Sequence, residues 1–343
     1  MSTAVGEPSP RFDLINIVNR VVEMLPLIVD DFIYACLLVI LCVGFSLTHI
    51  MEKFPNFAHA EFAGIGTMFI FTFTRLWGYN PYLGWPFASL LGGAIGVLLY
   101  ALVVRPIRRA GSGGIVLTFA MFPVSQILVS FLTTYSIWVM MTHRFSTRGF
   151  ILRGHDFRWM GYPGVLFVAP LICVALVASL HIFLTRVRLG IAIRATADDP
   201  ELASCLGIEV SRIHLVSWFL SGAMSALAGA FIPLYEKTTI GGSDELLISV
   251  IAGSVLGGLN NIYGAVVGGF VVAIAQRTFP RLLTDLNVPL YGLKRVVPVV
   301  VIISVIMYEP GGILGIISRI RLYLGRTLRA LPGSDSHEAG SLG

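Results

Sequence analysis

The sequence predicts an all-α polytopic integral membrane protein with about eight transmembrane crossings, and two observations carry this prediction. Hydrophobic residues make up 56% of the 343 residues and charged residues only 13%, with a mean hydropathy of +0.83. Soluble domains carry about 25% charged residues and disordered chains need dense charge, so both classes are excluded. Apolar runs near the length of a spanning helix also recur, at 32–51, 82–104, 110–143, 159–185, 213–235 and 246–276.

Other apolar segments are interrupted. Residues 57–74 contain His59 and Glu61, and residues 289–308 contain two basic residues near their start. The long run 246–276 has Gly257-Gly258-Leu259-Asn260-Asn261 at its centre, where glycine favours a break because it is a poor helix former. We expect either two half-length helices around a polar turn or one tilted, kinked helix. Similar glycine-rich sequences at 92–97 and 264–269 predict an internal repeat.

The basic residues predict the orientation, since arginine and lysine are in excess in cytoplasmic loops. The arginines at 105–109, at 186–194 and in the tail are placed inside, and the net charge of +5 is read as this topology signal. By parity, the loop with Arg144, Arg148, Arg153 and Arg158 lies outside, which is one violation of the rule. The predicted organisation is an N-terminal segment at 1–31, for which an interfacial position is one alternative, a transmembrane domain at 32–317, and a basic, then disordered, cytoplasmic tail at 318–343.

Two groups of polar residues are candidates for a solute path. Asn56, His59 and Glu61 stand at the head of an apolar run, where a charge in hydrocarbon costs at least about 2.5 kcal/mol and therefore usually faces a cavity or a partner. They form part of a path or gate, or they are an interfacial helix start with Asn56 as N-cap. Asn260 and Asn261 either line the path or satisfy the turn between two half-helices.

The small residues are interpreted as packing positions. Gly222, Ala226 and Ala230 recur every four residues, and the same spacing relates Gly253 to Gly257 and Gly264 to Gly268. Such spacing lets helix backbones approach closely in a membrane. Gly258 belongs to the predicted break.

The loop at 186–212 predicts a short, capped cytoplasmic helix. After Arg194 and Asp198, Asp199 is a good N-cap, Pro200 suits the first helical position, and Glu201 favours the first turn. Gly207 can end the helix in a left-handed conformation. The helix is a docking element for a partner, or simply an ordered loop.

Several of these stretches resemble the permease subunits of branched-chain amino acid ABC transporters. The similarity is carried in order by Gly44–Leu47, Asn56–Phe62, Thr196–Ile208, Ser221–Ala230, Val255–Leu259 and Tyr263–Gly269. One position differs from the pattern of the family, because Ala60 stands between His59 and Glu61 where the family usually has glycine.

The resemblance implies a multi-pass prokaryotic inner-membrane protein whose loop helix couples it to ATP-binding subunits. It also implies a second homologous permease and an extracytoplasmic solute-binding protein, with membrane lipid around them and no nucleic acid. The family's relatives include permeases for urea and short amides, which stay an alternative substrate class. The chain itself is expected to carry no catalytic residue, metal or cofactor, because none of its lysines follows a glycine as a phosphate-binding Walker A loop requires.

The sequence is also compatible with two rival functions. A passive channel or secondary transporter would use the same apolar spans but has no need of a docking helix. An intramembrane serine hydrolase would use Ser46 of Gly44-Phe45-Ser46-Leu47 with His49 as its base.

Overall fold

The computed structural model describes the backbone of residues 10–147, 149–239, 243–285, 293–308, 312–313 and 315, and their side chains from residue 28 onward except at 243–244, 281–285 and 293–295. The predicted all-α class is confirmed. The helices are α1 (Pro10–Glu52), α2 (His59–Phe71), α3 (Pro81–Leu99), α4 (Arg105–Arg109), α5 (Gly114–His143), α6 (Val165–Arg186), α7 (Arg188–Asp198), α8 (Pro200–Cys205), α9 (Val210–Tyr235), α10 (Ser243–Gly257), α11 (Ile262–Asp285) and α12 (Leu293–Tyr308). Single π-helical turns, Thr72–Leu76 and Tyr100–Val104, extend α2 and join α3 to α4.

Six of these helices are long and apolar enough to span a membrane within the described residues. They are Ile28–Glu52, Pro81–Arg109, Gly114–His143, Val165–Arg186, Val210–Tyr235 and Ile262–Pro280, and two shorter apolar helices, Glu245–Gly257 and Val296–Tyr308, accompany them. This agrees with the predicted number of about eight crossings. Buried residues make up 72% of the most apolar part of α1 and α9, against 22% in α5 and α6. The first two helices therefore form the centre and the other two the periphery.

The inner helix α2 is buried along its length, although it has only 13 residues. It packs against α9, α3 and α5, and its entry turn follows the end of α1 at Glu52. The sequence predicts Asn56 as the N-cap of α2, and this prediction is wrong. The N-cap is Ala58, and Asn56 Oδ1 instead accepts a hydrogen bond from the Ala58 amide 3.0 Å away, which closes the turn before the helix.

Glycines bring α9 into backbone contact with α2 and α3. A β-carbon at Gly222 would lie 2.4 Å from the Gly92 carbonyl oxygen, and one at Gly66 would lie 1.8 Å from the Ala226 carbonyl oxygen. Real β-carbons do not approach so closely, so only glycine permits this separation of the helices.

The broken segment consists of α10 and α11, two antiparallel helices separated by residues 258–261. Gly258 has φ +96°, a left-handed conformation that favours glycine. The Asn261 Oδ1 atom accepts hydrogen bonds from the Tyr263 and Gly264 amides at 2.9 and 3.2 Å. Gly257 lies against Gly264, and Gly268 lies against Gly253. Of the two sequence alternatives, the pair of helices around a polar turn is therefore the observed one.

Ion pairs fix the two ends of the membrane-spanning part of α1. Glu52 pairs with Arg108 at one end, and Arg153 Nη2 lies 2.7 Å from Asp30 Oδ1 at the other. Residues 28–52 span about 37 Å as a helix, so Arg108 and Arg153 lie on opposite sides, as the predicted topology requires. The Asp30 carboxylate offsets part of the positive charge of the loop at 144–164.

That loop contains a short antiparallel hairpin, β1 (Arg158–Trp159) and β2 (Tyr162–Pro163), in which Arg158 is opposite Pro163. The Tyr82 hydroxyl donates a hydrogen bond to Asp156, which ties the loop to the start of α3. Burial raises the pKa of the Asp156 carboxyl above its usual range.

Three expectations about organisation are left as predictions. The helix α1 runs without interruption through the expected boundary between residues 31 and 32, and the interfacial position of residues 1–31 stays a prediction. The tail at 318–343 lies outside the described residues. The relation between two halves of the chain also stays a prediction.

We predict that Gly222→Ala lowers the thermal stability of the purified protein in detergent. Alanine is favoured over glycine in a helix by up to about 1 kcal/mol, but the clash with the Gly92 carbonyl oxygen belongs to the overpacking class, which costs about 1–3 kcal/mol. The melting temperature, followed by fluorescence-detected gel filtration, should fall by several degrees. Gly154→Ala is the control, because nothing lies within 4 Å of that position. Equal melting temperatures for the two variants would contradict the packing role.

Candidate functional site

A cavity of about 220 Å³ lies among α1, α2, α5, α9, α10 and α11 and the segment that follows α9. This is room for about seven water molecules, or for one small solute. The aliphatic side chains of its lining, called here the aliphatic wall, are Met68, Val129, Leu132, Ile232 and Leu246. The polar part of the lining, called here the polar wall, includes Tyr34, Glu61, Glu236, Lys237, Glu245, Gln276 and Arg277. The cavity therefore offers charge and apolar surface together.

Glu61 is the predicted path residue that reaches this cavity. Its side chain is buried, and its Oε1 atom lies 3.3 Å from the Ser125 hydroxyl, which donates from α5. The position of Glu61 follows from the burial of α2 between α9 and α5, which directs this carboxylate inward.

His59, two residues earlier, has different surroundings. Its Nε2 atom lies 3.0 Å from the Leu41 carbonyl oxygen and its Nδ1 atom 3.3 Å from the Ser221 hydroxyl. Because a carbonyl oxygen can only accept, Nε2 carries the proton and Nδ1 accepts from the serine. A neutral His59 thus joins α2 to α1 and α9, and it does not line the cavity.

The predicted asparagines are used in local structure. Asn56 is buried and closes the turn before α2, while Asn260 and Asn261 are exposed at the turn between α10 and α11. None of the three lines the cavity. Their participation in transport stays a prediction, and so does that of His59 and Glu61.

The sequence interpretation missed the charged pair in the polar wall. Arg277 of α11 pairs with Glu236, the residue after α9, and the arginine side chain is 11% exposed against 42% for the glutamate. The Arg277 guanidinium carbon lies 4.4 Å above the Tyr34 ring, and the Tyr34 hydroxyl donates to Gln276 Oε1 at 2.9 Å. The sequence does contain a signal for this site, since Arg277 follows directly after the charge-free run 246–276.

The segment after α9 is attached to the loop between α5 and α6. Phe150 and Thr238 exchange two backbone hydrogen bonds, with N–O distances of 3.1 and 3.0 Å. Glu236 therefore lies two residues from a small antiparallel bridge at the edge of the cavity.

A second buried charge lies at the other end of α1. The Glu52 side chain is fully buried and accepts hydrogen bonds from His214 Nδ1 at 2.7 Å, from Trp218 Nε1 at 2.8 Å and from Arg108. These contacts join the end of α1 to α4 and α9, close to where the loop at 186–212 enters α9.

The loop at 186–212 has the cap that the sequence predicts. Asp199 Oδ1 accepts from the Glu201 and Leu202 amides at 2.9 and 3.0 Å, Pro200 is the first residue of α8, and Gly207 has φ +82°. Arg194, Asp198, Asp199, Pro200, Glu201 and Gly207 are all exposed. Leu202 and Leu206 are 58% and 74% exposed, which gives this short helix an apolar outer face.

The serine-hydrolase alternative requires a hydrogen bond between Ser46 and His49, and the described residues do not show one. Ser46 Oγ and His49 Nδ1 are both buried, and neither has a hydrogen-bond partner among the described residues. A serine nucleophile needs a base within hydrogen-bond reach, and this pair does not provide one.

Comparison with known proteins gives a consistent family. Residues 27–306 match the family model described as branched-chain amino acid transport system / permease component. A protein of Methanocaldococcus jannaschii named "Probable branched-chain amino acid transport permease protein LivH" is 31% identical over 83% of this chain and 90% of its own length. The LivH permease protein of the high-affinity branched-chain amino acid transport system of Escherichia coli K12 is 26% identical over 80% of this chain and 90% of its own.

A more distant relative has another named substrate. The autoinducer 2 import system permease protein LsrC of Escherichia coli O9:H4 is 28% identical over 53% of this chain and 55% of its own length. No solved structure matches the chain. The family model covers most of the chain and the similarity extends over nearly the whole length of the LivH proteins, so this chain belongs to the family of branched-chain amino acid transport system permease components.

Proposed function

We propose that this chain is the membrane-spanning permease subunit of an ABC importer and forms a path for branched-chain or other hydrophobic amino acids across a prokaryotic cell membrane. Family membership carries the proposal. The cavity supports it, because a lining that combines charged and aliphatic side chains suits a solute with a charged head and an apolar side chain. ATP-binding subunits, a second homologous permease and an extracytoplasmic solute-binding protein complete the transporter.

The energy for transport comes from outside this chain. The lysines of the sequence are Lys53, Lys237 and Lys294, and none follows a glycine as a Walker A loop requires. The chain is accordingly a non-catalytic subunit, and a partner must bias its inward- and outward-facing states.

The capped helix α8 is proposed as the element that receives this energy. Leu202 in this helix and Leu206 directly after it face solvent, while Ala203 is buried and anchors the helix to the rest of the chain. Exposed leucines on a short, well-capped helix suit a docking surface for an ATP-binding subunit. A passive channel or a secondary transporter has no need of such a surface.

The peripheral helices meet membrane lipid. Large apolar side chains of α5 and α6, among them Phe119, Phe131 and Leu171, are about 70% exposed. In water such surface would be costly, whereas in a bilayer it is solvated by acyl chains.

We predict that Gly207→Val uncouples the subunit. A β-branched residue at φ +82° strains the end of α8 by about 1–2 kcal/mol, so co-purification with the ATP-binding subunits and ATP-dependent uptake should fall about tenfold. The control is Gly161→Val, because Gly161 also has a left-handed backbone, at φ +86°, with nothing within 4 Å, but lies in the hairpin at 158–163. Unchanged uptake by Gly207→Val would refute the coupling role.

We also predict the substrate class. In proteoliposomes that contain the complete transporter, unlabelled leucine should abolish ATP-dependent uptake of labelled leucine, and urea at the same concentration should leave it unchanged. The reason is that the aliphatic wall gains contact with leucine and gains none with urea. Inhibition by urea, with urea uptake, would instead assign the chain to the urea and short-amide permeases. Import of autoinducer 2 but not of leucine would also contradict the proposal.

A further inference from the structure

Arg277, in the polar wall of the cavity, needs an anion beside it. Arg277 lies in an apolar helix, and its side chain is 11% exposed. Removing the partner of a buried charge is strongly unfavourable, so an anion must stay beside this guanidinium. Glu236 provides that anion in the present structure.

The anion that balances Arg277 is more accessible than the arginine. The Glu236 side chain is 42% exposed, and it lies on the irregular segment between α9 and the bridge at Thr238. Glu236 can therefore leave the guanidinium for solvent more easily than Arg277 can leave the cavity wall.

The arginine keeps its position by contacts that do not involve Glu236. Its guanidinium carbon lies 4.4 Å from the centre of the Tyr34 ring, an arrangement that attracts a cation to the ring face. Tyr34 is itself fixed by the hydrogen bond from its hydroxyl to Gln276. The Tyr34 ring is thus a partner of the guanidinium that does not depend on Glu236.

We infer that this ion pair is the recognition site for the zwitterionic head of an α-amino acid. The solute carboxylate accepts hydrogen bonds from Arg277, and its ammonium group donates to Glu236. The inference rests on the proposed function. It adds the residues that recognise the head group of the solute, which the proposed function does not name.

Charge balance selects the zwitterion over other small solutes. The closed pair is neutral, and inserting one carboxylate and one ammonium leaves the site neutral with both protein charges partnered. A carboxylic acid would leave Glu236 unpartnered, and an amine would leave Arg277 unpartnered. Urea carries neither charge, so it cannot replace either partner of the ion pair, and the pair stays closed in its presence.

The aliphatic wall accommodates the side chain of the same solute. Met68, Leu132 and Ile232 line the cavity together with the ion pair. Burial of a branched aliphatic side chain against them contributes roughly 25 cal/mol per Å² of apolar surface removed from water. The head group and the side chain are therefore recognised by different residues of the same lining.

The test is equilibrium binding to the full-length chain in nanodiscs, with labelled L-leucine displaced by leucine, isocaproate or isoamylamine. Isocaproate is leucine without its ammonium group, and isoamylamine is leucine without its carboxylate. On the wild-type chain, both should bind at least about tenfold more weakly than leucine, because each leaves one charge of the opened ion pair unpartnered.

Two variants should show opposite patterns. Arg277→Gln should weaken leucine and isocaproate binding about tenfold or more, and it should strengthen isoamylamine binding, because it removes the charge that this amine leaves unpartnered. Glu236→Gln should weaken leucine and isoamylamine binding and strengthen isocaproate binding for the corresponding reason. Arg212→Gln is the control, since Arg212 also pairs with an acid, Glu209, but neither residue lines the cavity, and it should leave all three affinities unchanged.

A merely structural ion pair gives a different result. Both variants would then change the affinities for all three compounds equally, or change none, and either outcome overturns the inference. Glu236→Gln keeps the test valid if Arg277→Gln does not fold, because Glu236 is the more exposed partner. A wild-type chain that binds no leucine while the complete transporter imports it also overturns the inference.

Failure of the proposed function is a separate result. If the complete wild-type transporter shows no ATP-dependent leucine uptake, the proposed function fails. If it imports leucine and the variants show the structural pattern, only the site assignment fails.

Discussion

Backbone contact between α9 and its neighbours α2 and α3 is the constraint on which the rest of the structure depends. Lipid tails are as apolar as leucine side chains, so helices in a membrane gain little from hydrophobic burial and depend on close packing. Gly66 meets Ala226, Gly92 meets Gly222, and the Thr67 hydroxyl donates to the Gly229 carbonyl oxygen at 2.8 Å. These contacts enclose a 13-residue helix and so bring an ionisable residue, Glu61, into the interior.

The buried charges follow from the same enclosure. A carboxylate inside a packed bundle needs several donors, and Glu52 receives them from three side chains on α4 and α9. At the opposite end, Arg277 has one carboxylate and one aromatic ring as partners. The first arrangement uses a rigid set of helices and holds the bundle together. The second involves an irregular segment, which makes it the more suitable of the two for exchange with a solute.

The sequence predicts local features well and distant pairings poorly. The Asp199 cap and the turn at Gly258 depend on residues within a few positions of each other. The local sequence alone therefore predicts both. The pairing of Glu52 with His214 joins residues 162 positions apart, and no periodicity specifies it. The sequence predicts Asn261 as a candidate for the path because a polar side chain within an apolar segment is unusual. In the structure, its side-chain oxygen already accepts hydrogen bonds from two amides.

The bridge between Phe150 and Thr238 joins the segment that carries Glu236 to the loop between α5 and α6. Its two backbone hydrogen bonds contribute roughly 1–3 kcal/mol together, and a third hydrogen bond, from the Leu152 amide to the Pro233 carbonyl oxygen at 2.6 Å, joins the same two parts of the chain. Amide hydrogen exchange at Phe150, Leu152 and Thr238 reports how often these contacts open. Glu236 thus lies on a short segment that is fixed at both ends, so its side chain can change partners while its backbone stays in place.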